Sequence, residues 1–465
     1  MDDPAFVAAP DWLAPGDDLN ELVAGLWPSG SRRGDRGELL IQNRSVTDLV
    51  RQHGSPLYLI DKEDFCARAR EFSEAFPGWD VYYAGKAFLS RRIARWVEAQ
   101  GLGLDVCSGN ELAVALLAGF PPERIELHGN NKSVEELAQA IDAGVGRIIV
   151  DSFAEIDRVE AMAKDRGTEV VVLVRVTTGV SAHTHDYIAT AHEDQKFGFS
   201  IQSGQAMKAL LACAQRPHIE LKGLHSHIGS QIFDTEGFRL AARRLMELAS
   251  DYQNTTGEQL TELNLGGGFG IQYTAADQPL PPETLAAQLI DIIEQARSQY
   301  GLGAFRLAIE PGRAICGPAG IALYTVGTIK EVEVSPGILR TYVSVDGGMS
   351  DNIRTALYNA DYTAVVANRS SEAQPMLSRV VGKHCESGDQ LVRDVYLPGD
   401  LQVGDILAVP GSGAYARSLA SNYNHALRPA VLSVDGNGVE VIMRRETLED
   451  LLALDIDPPA SVLNP

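Results

Sequence analysis

The chain has 465 residues, 45% of them hydrophobic and 22% charged, so it is long enough for two domains and has the composition of an ordinary soluble globular protein. Its 40 basic and 62 acidic residues give a net charge of −22, which argues against nucleic acid or an anionic membrane as a partner. The 5 cysteines are scattered, which favours a reducing compartment over a disulfide framework. The sequence shows no secretory-signal pattern and no apolar stretch long enough for a bilayer, so we expect a cytoplasmic protein.

The N-terminal residues 1–54 are predicted to form an extended arm followed by a strand. They are first rich in Pro, Gly and Asp and then carry a short apolar stretch at Glu38–Ile41. A helix is predicted over 61–76 from the spacing of its phenylalanines.

From residue 81 onward, short apolar runs alternate with longer amphipathic stretches. Eight such strand–helix units in succession predict a closed parallel (β/α)8 barrel over residues 55–314, and an open doubly wound sheet is the alternative. The predicted strands are Val81–Lys86, Leu104–Ser108, Ile125–Gly129, Arg147–Asp151, Val170–Val176, Leu221–Ile228, Leu263–Gly267 and Arg306–Glu310.

Two further regions differ from this rhythm. The segment 177–200 has no clear strand or helix pattern, and a long loop after the fifth strand predicts a functional lid that includes His183–Phe199. Over residues 315–465, strand-like runs are separated by turns without crossover helices, which predicts a mostly antiparallel β domain.

Residues with catalytic chemistry cluster where the predicted barrel strands end, and active sites of such barrels lie at the carboxyl ends of the strands. Lys86 ends the first strand. An amine among apolar and aromatic neighbours is partly desolvated, which favours the neutral form that attacks an aldehyde. The simpler interpretation is a solvated lysine at a strand end. The other strand ends carry Asp105 and Ser108, His128–Asn131, His225–Ser230, Gly266–Gly270 and Glu310–Arg313.

The glycine run Gly266–Gly268 allows backbone N–H groups to approach an oxyanion closely, and Arg313 could add a guanidinium to the same phosphate. A tight turn and a surface salt bridge are the simpler interpretations of these features. The run matches neither a dinucleotide-binding pattern nor a Walker pattern, so the sequence supports neither a dinucleotide nor ATP as the ligand.

Two histidine pairs, His183/His185 and His225/His227, have a spacing that could suit a metal on a strand. A metal-dependent barrel hydrolase is therefore a rival interpretation. Such sites usually also need carboxylate ligands on neighbouring strand ends, and Lys86 and the glycine run would then have no clear role. We therefore predict no metal.

Ten segments of the chain follow one another in the same order as in a known protein family, which is difficult to obtain by chance. They are YYAGKAF, GLGLDVCSGNEL, HGNNKS, HEDQKFGF, HSHIGSQ, LNLGGGFG, EPGRAI, VDGGMSDNIRTALY, CESGD and GAYARSLASNYN. With them the chain resembles the fold-type III pyridoxal-phosphate decarboxylases, and among these the members that act on diaminopimelate, over nearly its whole length after about residue 40. The resemblance implies an alanine-racemase-like barrel plus a β domain that residues 1–54 join.

The resemblance also implies the reaction and the assembly. The cofactor would be pyridoxal 5'-phosphate, and meso-2,6-diaminopimelate would be converted to L-lysine and CO2. The protein would be a homodimer with active sites shared across the interface.

The resemblance implies cofactor-binding roles for residues at the barrel mouth. Lys86 would hold the cofactor as a Schiff base, and Asp105 would help to set its protonation. His227 would stack on the pyridine ring, and Glu310 would pair with the ring nitrogen. The phosphate ligands would be Ser230, Gly268, Gly312 and Arg313.

The resemblance further implies substrate-binding and catalytic roles, mainly for residues of the β domain. Cys385, supplied by the other subunit, would return a proton to the carbanion that loss of CO2 leaves. A lone cysteine is more often a small buried hydrophobe, and an arginine such as Arg354 a surface cation. The family more often has proline where this chain has Ile353. The implied substrate ligands are Arg313, Arg354, Tyr358, Glu386 and Tyr415, with Tyr415 also touching the cofactor.

Three other functions remain open. The chain could decarboxylate another basic amino acid, namely ornithine, lysine or a D-amino acid, although Arg354 as a ligand for a distal carboxylate argues against this. It could be a racemase, but racemases of this fold typically place an arginine in the role of Glu310. It could be a non-catalytic homologue, but Lys86, Glu310 and Cys385 are all present.

Overall fold

The computed structural model describes residues 9–16, 18–180 and 195–456. The chain forms two compact units, one made of residues up to 64, 272–277 and 317 onward, and the other of residues 65–271 and 278–316. Within the described residues, none of the helices combines the length and the apolar character that a membrane span requires. Most of the predicted lid, from 183 to 194, lies outside the described residues.

The N-terminal part of the first unit contains a small antiparallel sheet, one helix and a buried strand. Ser45 caps the helix, because its side chain accepts a hydrogen bond from the Asp48 N–H at 3.4 Å. The elements are β1 (Ser31–Arg33), β2 (Leu39–Ile41), β3 (Arg44–Ser45), α1 (Val46–His53) and β4 (Leu57–Asp61).

The second unit is a closed barrel of eight parallel strands, in which each strand pairs with the next and the last pairs with the first. The predicted parallel barrel is therefore confirmed. Its strands are β5 (Asp80–Ala84), β6 (Gly103–Val106), β7 (Ile125–Leu127), β8 (Arg147–Val150), β9 (Val170–Thr177), β11 (Ile219–His225), β12 (Glu262–Asn264) and β13 (Arg306–Ile309), and the short β10 (Phe199–Ser200) pairs with β9.

Helices connect these strands, and the sequence marks their ends. Serine side chains cap the N-termini of four helices, at Ser90, Ser108, Ser133 and Ser152. Glycines with left-handed backbone end several of them. The helices are α2 (Lys62–Ala75), α3 (Arg91–Ala99), α4 (Gly109–Ala118), α5 (Val134–Ala143), α6 (Phe153–Arg166), α7 (Gln205–Ala214), α8 (Glu236–Thr256), α9 (Pro282–Gln299) and α10 (Arg313–Cys316).

Seven of the eight barrel strands end earlier than predicted, by one to three residues. The first strand ends at Ala84, so Lys86 lies in a 3₁₀ turn over Gly85–Ala87. The chain leaves the strand ladder where it must turn into the barrel mouth, as at Gly129 and Gly266, whose φ values are 123° and 70°. Seven of the eight predicted site residues of the barrel unit therefore lie beyond the strands, whereas Asp105 lies within β6.

The C-terminal part of the first unit contains a mostly antiparallel sheet, as predicted. Its elements are β14 (Gly320–Ser335), β15 (Ile338–Val345), α11 (Arg354–Tyr358), β16 (Val365–Val366), β17 (Pro375–Val381), β18 (Gln390–Pro398), β19 (Ile406–Val409), β20 (Ala430–Asp435), β21 (Gly438–Met443) and α12 (Leu448–Leu452). The sheet order is β18-β17-β15-β14-β4-β20-β21, with β16 and β19 off this path. Apolar side chains from β2, β4, β14 and β20 form one core cluster.

The position of β4 differs from the predicted division of the chain. The prediction placed residues 55–314 in the barrel, whereas Leu57–Asp61 pairs with Gly320–Leu323 and with Ala430–Val434 in the antiparallel sheet. The apolar sequence pattern of a buried strand is the same in a parallel barrel and in an antiparallel sheet. Because the pairing partners are distant in sequence, this pattern does not show which sheet the strand joins.

A buried ion pair fixes the loop that follows β7. The Lys132 ammonium donates to Glu155 Oε1 at 2.6 Å and to the backbone carbonyls of Gly129 at 2.7 Å and Ile149 at 2.6 Å. The Lys132 and Glu155 side chains are only 2% and 1% exposed. Burial lowers the pKa of Lys132 and raises the pKa of Glu155, so each charge depends on the other.

We expect Lys132→Met to lower the free energy of unfolding by about 3–5 kcal/mol, because it leaves the Glu155 carboxylate buried without a counter-charge. Urea unfolding measures this change. Lys164→Met is the control, since Lys164 is exposed on α6 and its loss should change stability by no more than about 0.5 kcal/mol. Equal stabilities for the two variants would contradict a structural role for the pair.

Candidate active site

Backbone-to-backbone contacts at glycines bring three loops of the barrel mouth together. A Cβ on Gly267 would lie 2.2 Å from the Glu310 carbonyl oxygen, and one on Gly268 would lie 2.3 Å from the Gly229 carbonyl oxygen. Gly268 also has a φ of 104°, which L side chains rarely adopt. Only glycine fits at these two positions, so the loops after β11, β12 and β13 are held close together.

This junction carries the donors that a phosphate group requires. Arg313 Nη2 donates to Ser230 Oγ at 2.8 Å. Ser230 follows Gly229, whose carbonyl lies against Gly268. A guanidinium, a hydroxyl and a glycine loop therefore lie side by side, and this donor set suits a phosphate.

The loop that carries Lys86 is packed between its neighbours by two further glycines. A Cβ on Gly312 would lie 2.8 Å from Ala84 Cβ, and one on Gly85 would lie 2.8 Å from the Asp105 carbonyl oxygen. The Lys86 side chain itself is exposed, so the prediction that it is partly desolvated is wrong. Lys86 lies in the 3₁₀ turn beyond the end of β5, between the buried residues Gly85 and Ala87.

Glu310 is a buried carboxylate surrounded by groups that favour its negative charge. The side chain is 6% exposed, and its Oε1 lies 3.0 Å from His225 Nε2 and 3.3 Å from His128 Nε2. Asn264 Nδ2 donates to the same oxygen at 2.9 Å. Burial raises the pKa of Glu310, but the facing histidines outweigh burial and hold this pKa below its ordinary value.

Two more buried carboxyl groups, those of Asp105 and Glu126, lie near Glu310, and their pKa values are shifted in the opposite direction. His128 Nε2 lies 3.6 Å from Asp105 Oδ1 and 3.6 Å from Glu126 Oε2. Burial and repulsion from Glu310 raise the pKa of Asp105 and of Glu126 well above the ordinary range. The pKa of Glu310 is thus shifted in the opposite direction from those of Asp105 and Glu126, and the Glu310 carboxylate can accept a hydrogen bond from a cationic N–H group.

His227 lies beyond the end of β11 and presents a neutral ring. Its Nδ1 accepts a hydrogen bond from the Gly267 N–H at 3.3 Å. Burial and the positive charge of Lys86 lower the pKa of His227 to about 3. The ring is therefore uncharged near neutral pH, as stacking on a cationic aromatic ring requires.

The histidine cluster also has the geometry of a metal site. Ligand-type atoms of His128, His225 and Glu310 lie within 4.8 Å of one another. His227 is not part of this group, and the other predicted pair, His183/His185, lies outside the described residues. A cation in this cluster would compete for the Glu310 oxygen with any ring N–H group.

In the antiparallel unit, Arg354 is buried rather than a surface cation. It is 6% exposed, and its Nη1 donates to the Tyr362 hydroxyl at 2.7 Å. The guanidinium carbon lies 4.7 Å from the centre of the Tyr273 ring. These contacts fix the side chain in one orientation.

Other predicted residues of this unit are accessible. Cys385 and Glu386 are exposed in neighbouring positions of one loop, and Tyr358 is 62% exposed. Tyr415 has a φ of 62°, which is uncommon for a bulky residue and is typical of strained functional positions. The structure thus describes all thirteen predicted site residues, eight of them in the barrel unit and five in the antiparallel unit.

The comparisons with known proteins agree on one family. Residues 62–317 match the family model described as "Pyridoxal-dependent decarboxylase, pyridoxal binding domain". The chain is 51% identical over 444 residues to the diaminopimelate decarboxylase of Mycobacterium tuberculosis, covering 94% of this chain and 99% of that protein. The chain belongs to the diaminopimelate decarboxylase family. The predicted resemblance is therefore confirmed, and with it the assignment as a decarboxylase.

Other relatives support this conclusion to different degrees. The diaminopimelate decarboxylase of Bacillus subtilis is 46% identical over 430 residues, covering 92% of this chain and 97% of that protein. A crystal structure of diaminopimelate decarboxylase from M. jannaschii in complex with L-lysine has a TM-score of 0.86 at 32% identity, covering 93% of this chain and 99% of that chain. A lysine/ornithine decarboxylase from Vibrio vulnificus has a TM-score of 0.70 over 84% of this chain and 97% of that chain, but at 23% identity it shows the fold alone.

Sequence reasoning missed two residues of the buried cluster, Glu126 and Asn264. Asn264 Nδ2 donates to Glu126 Oε2 at 2.9 Å as well as to Glu310, so it links two carboxyls across the barrel. The sequence did indicate both residues, because each is a polar residue between two large apolar neighbours within a predicted strand. A polar side chain inside a fully buried strand requires a partner, and that partner lies on another strand.

Asp351 holds the loop that leads to Arg354. Its side chain is 3% exposed and accepts hydrogen bonds from the Gly348 N–H at 2.8 Å and from the Tyr324 hydroxyl at 2.7 Å. Burial raises the pKa of Asp351 to about 7. The folded protein thus keeps this proton up to about pH 7, whereas the unfolded carboxyl loses it near pH 4.

Stability should therefore fall as the pH rises through this range, by up to about 1.4 kcal/mol per pH unit from this one group. We expect Asp351→Asn to reduce that slope, because the amide keeps an acceptor for Gly348 and does not titrate. Urea unfolding of both proteins between about pH 4 and about pH 7 measures the slopes. Parallel curves would exclude Asp351 as the titrating group.

Proposed function

We propose that this protein decarboxylates meso-2,6-diaminopimelate to L-lysine and CO2 with pyridoxal 5'-phosphate, which is the last step of lysine biosynthesis. The relatives that carry this name match nearly the full length of the chain. The observation that carries the proposal is the barrel mouth, where a lysine, an ionised buried glutamate and a phosphate-type donor set occur together.

The residues of the mouth fit each part of this cofactor. Lys86 would bind its aldehyde carbon, and the anionic Glu310 would accept a hydrogen bond from the ring nitrogen. The neutral ring of His227 would lie against the pyridine ring. The phosphate would be held by Ser230, Gly268, Gly312 and Arg313. When bound, the cofactor supplies an electron sink for the pair of electrons that loss of CO2 leaves at Cα.

Protein groups manage the protons of the reaction. Asp105 lies near Lys86, whose positive charge acts on the Asp105 carboxyl. Because burial raises the pKa of Asp105, this carboxyl group would exchange a proton with the amine. Cys385 would return a proton to the substrate carbon.

The substrate has two amino-acid ends, so the site must hold the end that does not react. Conversion of a meso compound to L-lysine removes the carboxylate of the D centre and retains that of the L centre. Arg354 would bind the retained carboxylate, since its guanidinium is fixed by two tyrosines. Glu386 would bind the distal ammonium. The remaining ligands would be Arg313, Tyr358 and Tyr415.

The assembly and the location are part of the same proposal. The protein would be a homodimer in which the partner subunit supplies Cys385 and Glu386, and their exposure on the single chain supports this. A cytoplasmic location is supported by the five cysteines, none of which forms a disulfide in the described part of the chain.

The experiment that tests the function is Lys86→Ala. We expect loss of the absorbance of the Schiff base and a fall of more than about a thousandfold in CO2 release from meso-diaminopimelate, because the covalent attachment is lost. Absorbance spectroscopy and product analysis measure both effects, and Lys164→Ala is the matched control. A variant that retains full activity would refute the assignment of Lys86, and a coloured wild type that releases no CO2 would refute the function.

Substrate choice is tested with Arg354→Gln. We expect kcat/KM for meso-diaminopimelate to fall about 10–100-fold, which corresponds to the loss of a charged hydrogen bond of about 1.5–3 kcal/mol. Binding of D-lysine should change little, because D-lysine has the same reacting centre but no distal carboxylate. The cofactor absorbance reports this binding, and the exposed Arg51→Gln is the control. Equal losses for both ligands would remove Arg354 from the carboxylate site.

A further inference from the structure

His384 is a buried imidazole directly before the exposed Cys385. It is 8% exposed, and both of its ring nitrogens have partners on other segments. Nε2 lies 2.8 Å from Ser350 Oγ, and Nδ1 lies 2.9 Å from Asn424 Oδ1. One ring therefore joins three loops of the antiparallel unit.

The chemistry of the partners fixes the state of this ring. The side-chain carbonyl of Asn424 can only accept, so Nδ1 carries the hydrogen. In the neutral ring Nε2 then accepts from the Ser350 hydroxyl, which can donate. Because both nitrogens are used, the ring cannot rotate without losing two hydrogen bonds.

Asn424 is held in an unusual backbone conformation at this contact. Its φ is 50° and its ψ is 31°, and asparagine tolerates this left-handed region better than most residues. The following residue, His425, also has a positive φ of 55°. Such strain persists where the surroundings determine the conformation, and here it places the amide against His384.

The other end of the Cys385 loop is fixed by a buried carboxylate. Asp389 is 3% exposed and accepts hydrogen bonds from the Met349 N–H at 2.6 Å and from the His384 N–H at 2.7 Å. A Cβ on Gly382 would lie 2.3 Å from the Asp389 carboxylate, so the loop base is closely packed. The buried His384 ring and the buried Asp389 carboxylate thus fix the two ends of the exposed loop.

The same ring is linked to Glu386. The Tyr423 ring lies 5.3 Å from the His384 ring, centre to centre, and the Tyr423 hydroxyl donates to Glu386 Oε1 at 2.5 Å. The contact leaves the second carboxylate oxygen, Oε2, for another partner. His384 and Tyr423 together therefore determine where Cys385 and Glu386 are presented.

We propose that His384 is a positioning residue that sets the geometry of Cys385 and Glu386 by joining Ser350 to Asn424. The roles of Cys385 as proton donor and Glu386 as substrate ligand rest on the proposed function, whereas the placement of the loop does not. A displacement of about 1 Å at a reacting group can reduce the rate about a hundredfold. His384 thus acts on the reaction through its neighbours.

The test compares His384→Ala, Asn424→Ala and Ser350→Ala in the full-length protein loaded with pyridoxal phosphate. We expect kcat for meso-diaminopimelate to fall about a hundredfold in His384→Ala and less in the other two, each of which removes one hydrogen bond. His384→Asn should recover part of the loss, since its amide can replace the Nδ1 donor. Cofactor absorbance should not change, and His53→Asn is the matched control.

A second measurement tests placement without turnover. Amide hydrogen exchange over residues 383–390 should be faster in His384→Ala and Asn424→Ala than in the wild type, with exchange in the barrel unchanged. Wild-type exchange rates and wild-type kcat in both variants would overturn the proposal. If the wild type released no CO2 from diaminopimelate, the function would fail while the exchange data still tested His384. If His384→Ala did not fold, Ser350→Ala and Asn424→Ala would decide the outcome.

Discussion

The buried negative charge of Glu310 is the interaction on which the site depends. A carboxylate removed from water is unfavourable unless donors and positive dipoles surround it, and here His128, His225 and Asn264 do so. Burial and repulsion from Glu310 raise the pKa values of Asp105 and Glu126. The pKa values of the three carboxyl groups are therefore shifted in opposite directions, and the Glu310 carboxylate is the group that would bind a cationic ring nitrogen.

The phosphate-type donor set depends on a second constraint, the absence of side chains at the glycines of the mouth. Gly267 and Gly268 allow three loops to touch through their backbones, and this contact brings Ser230 beside Arg313. Any Cβ at these positions would separate the loops. The mouth therefore gains its precision from backbone packing rather than from long, flexible side chains.

In the antiparallel unit, buried residues restrict the movement of the groups expected to be functional. Cys385 and Glu386 are exposed, but His384 before them and Asp389 after them are buried and hydrogen-bonded. Arg354 is held in the same manner by two aromatic rings and one hydroxyl. Buried partners thus fix both the exposed Cys385 loop and the buried Arg354 guanidinium.

The sequence by itself determined the kind of fold and the location of the chemistry. The alternation of apolar runs and amphipathic stretches is a local property, so it predicted the eight barrel strands and the later β domain, and strand ends pointed to Lys86, the glycine run and Glu310. Tertiary structure decided the exposure of Lys86, the place of β4 in the second sheet, the link from Asn264 to two carboxyls, and the anchoring of His384. These features depend on groups that are far apart in the chain and on how deeply each is buried. Local periodicity carries no information about which strands or loops lie side by side, and it therefore cannot assign a pKa or a partner.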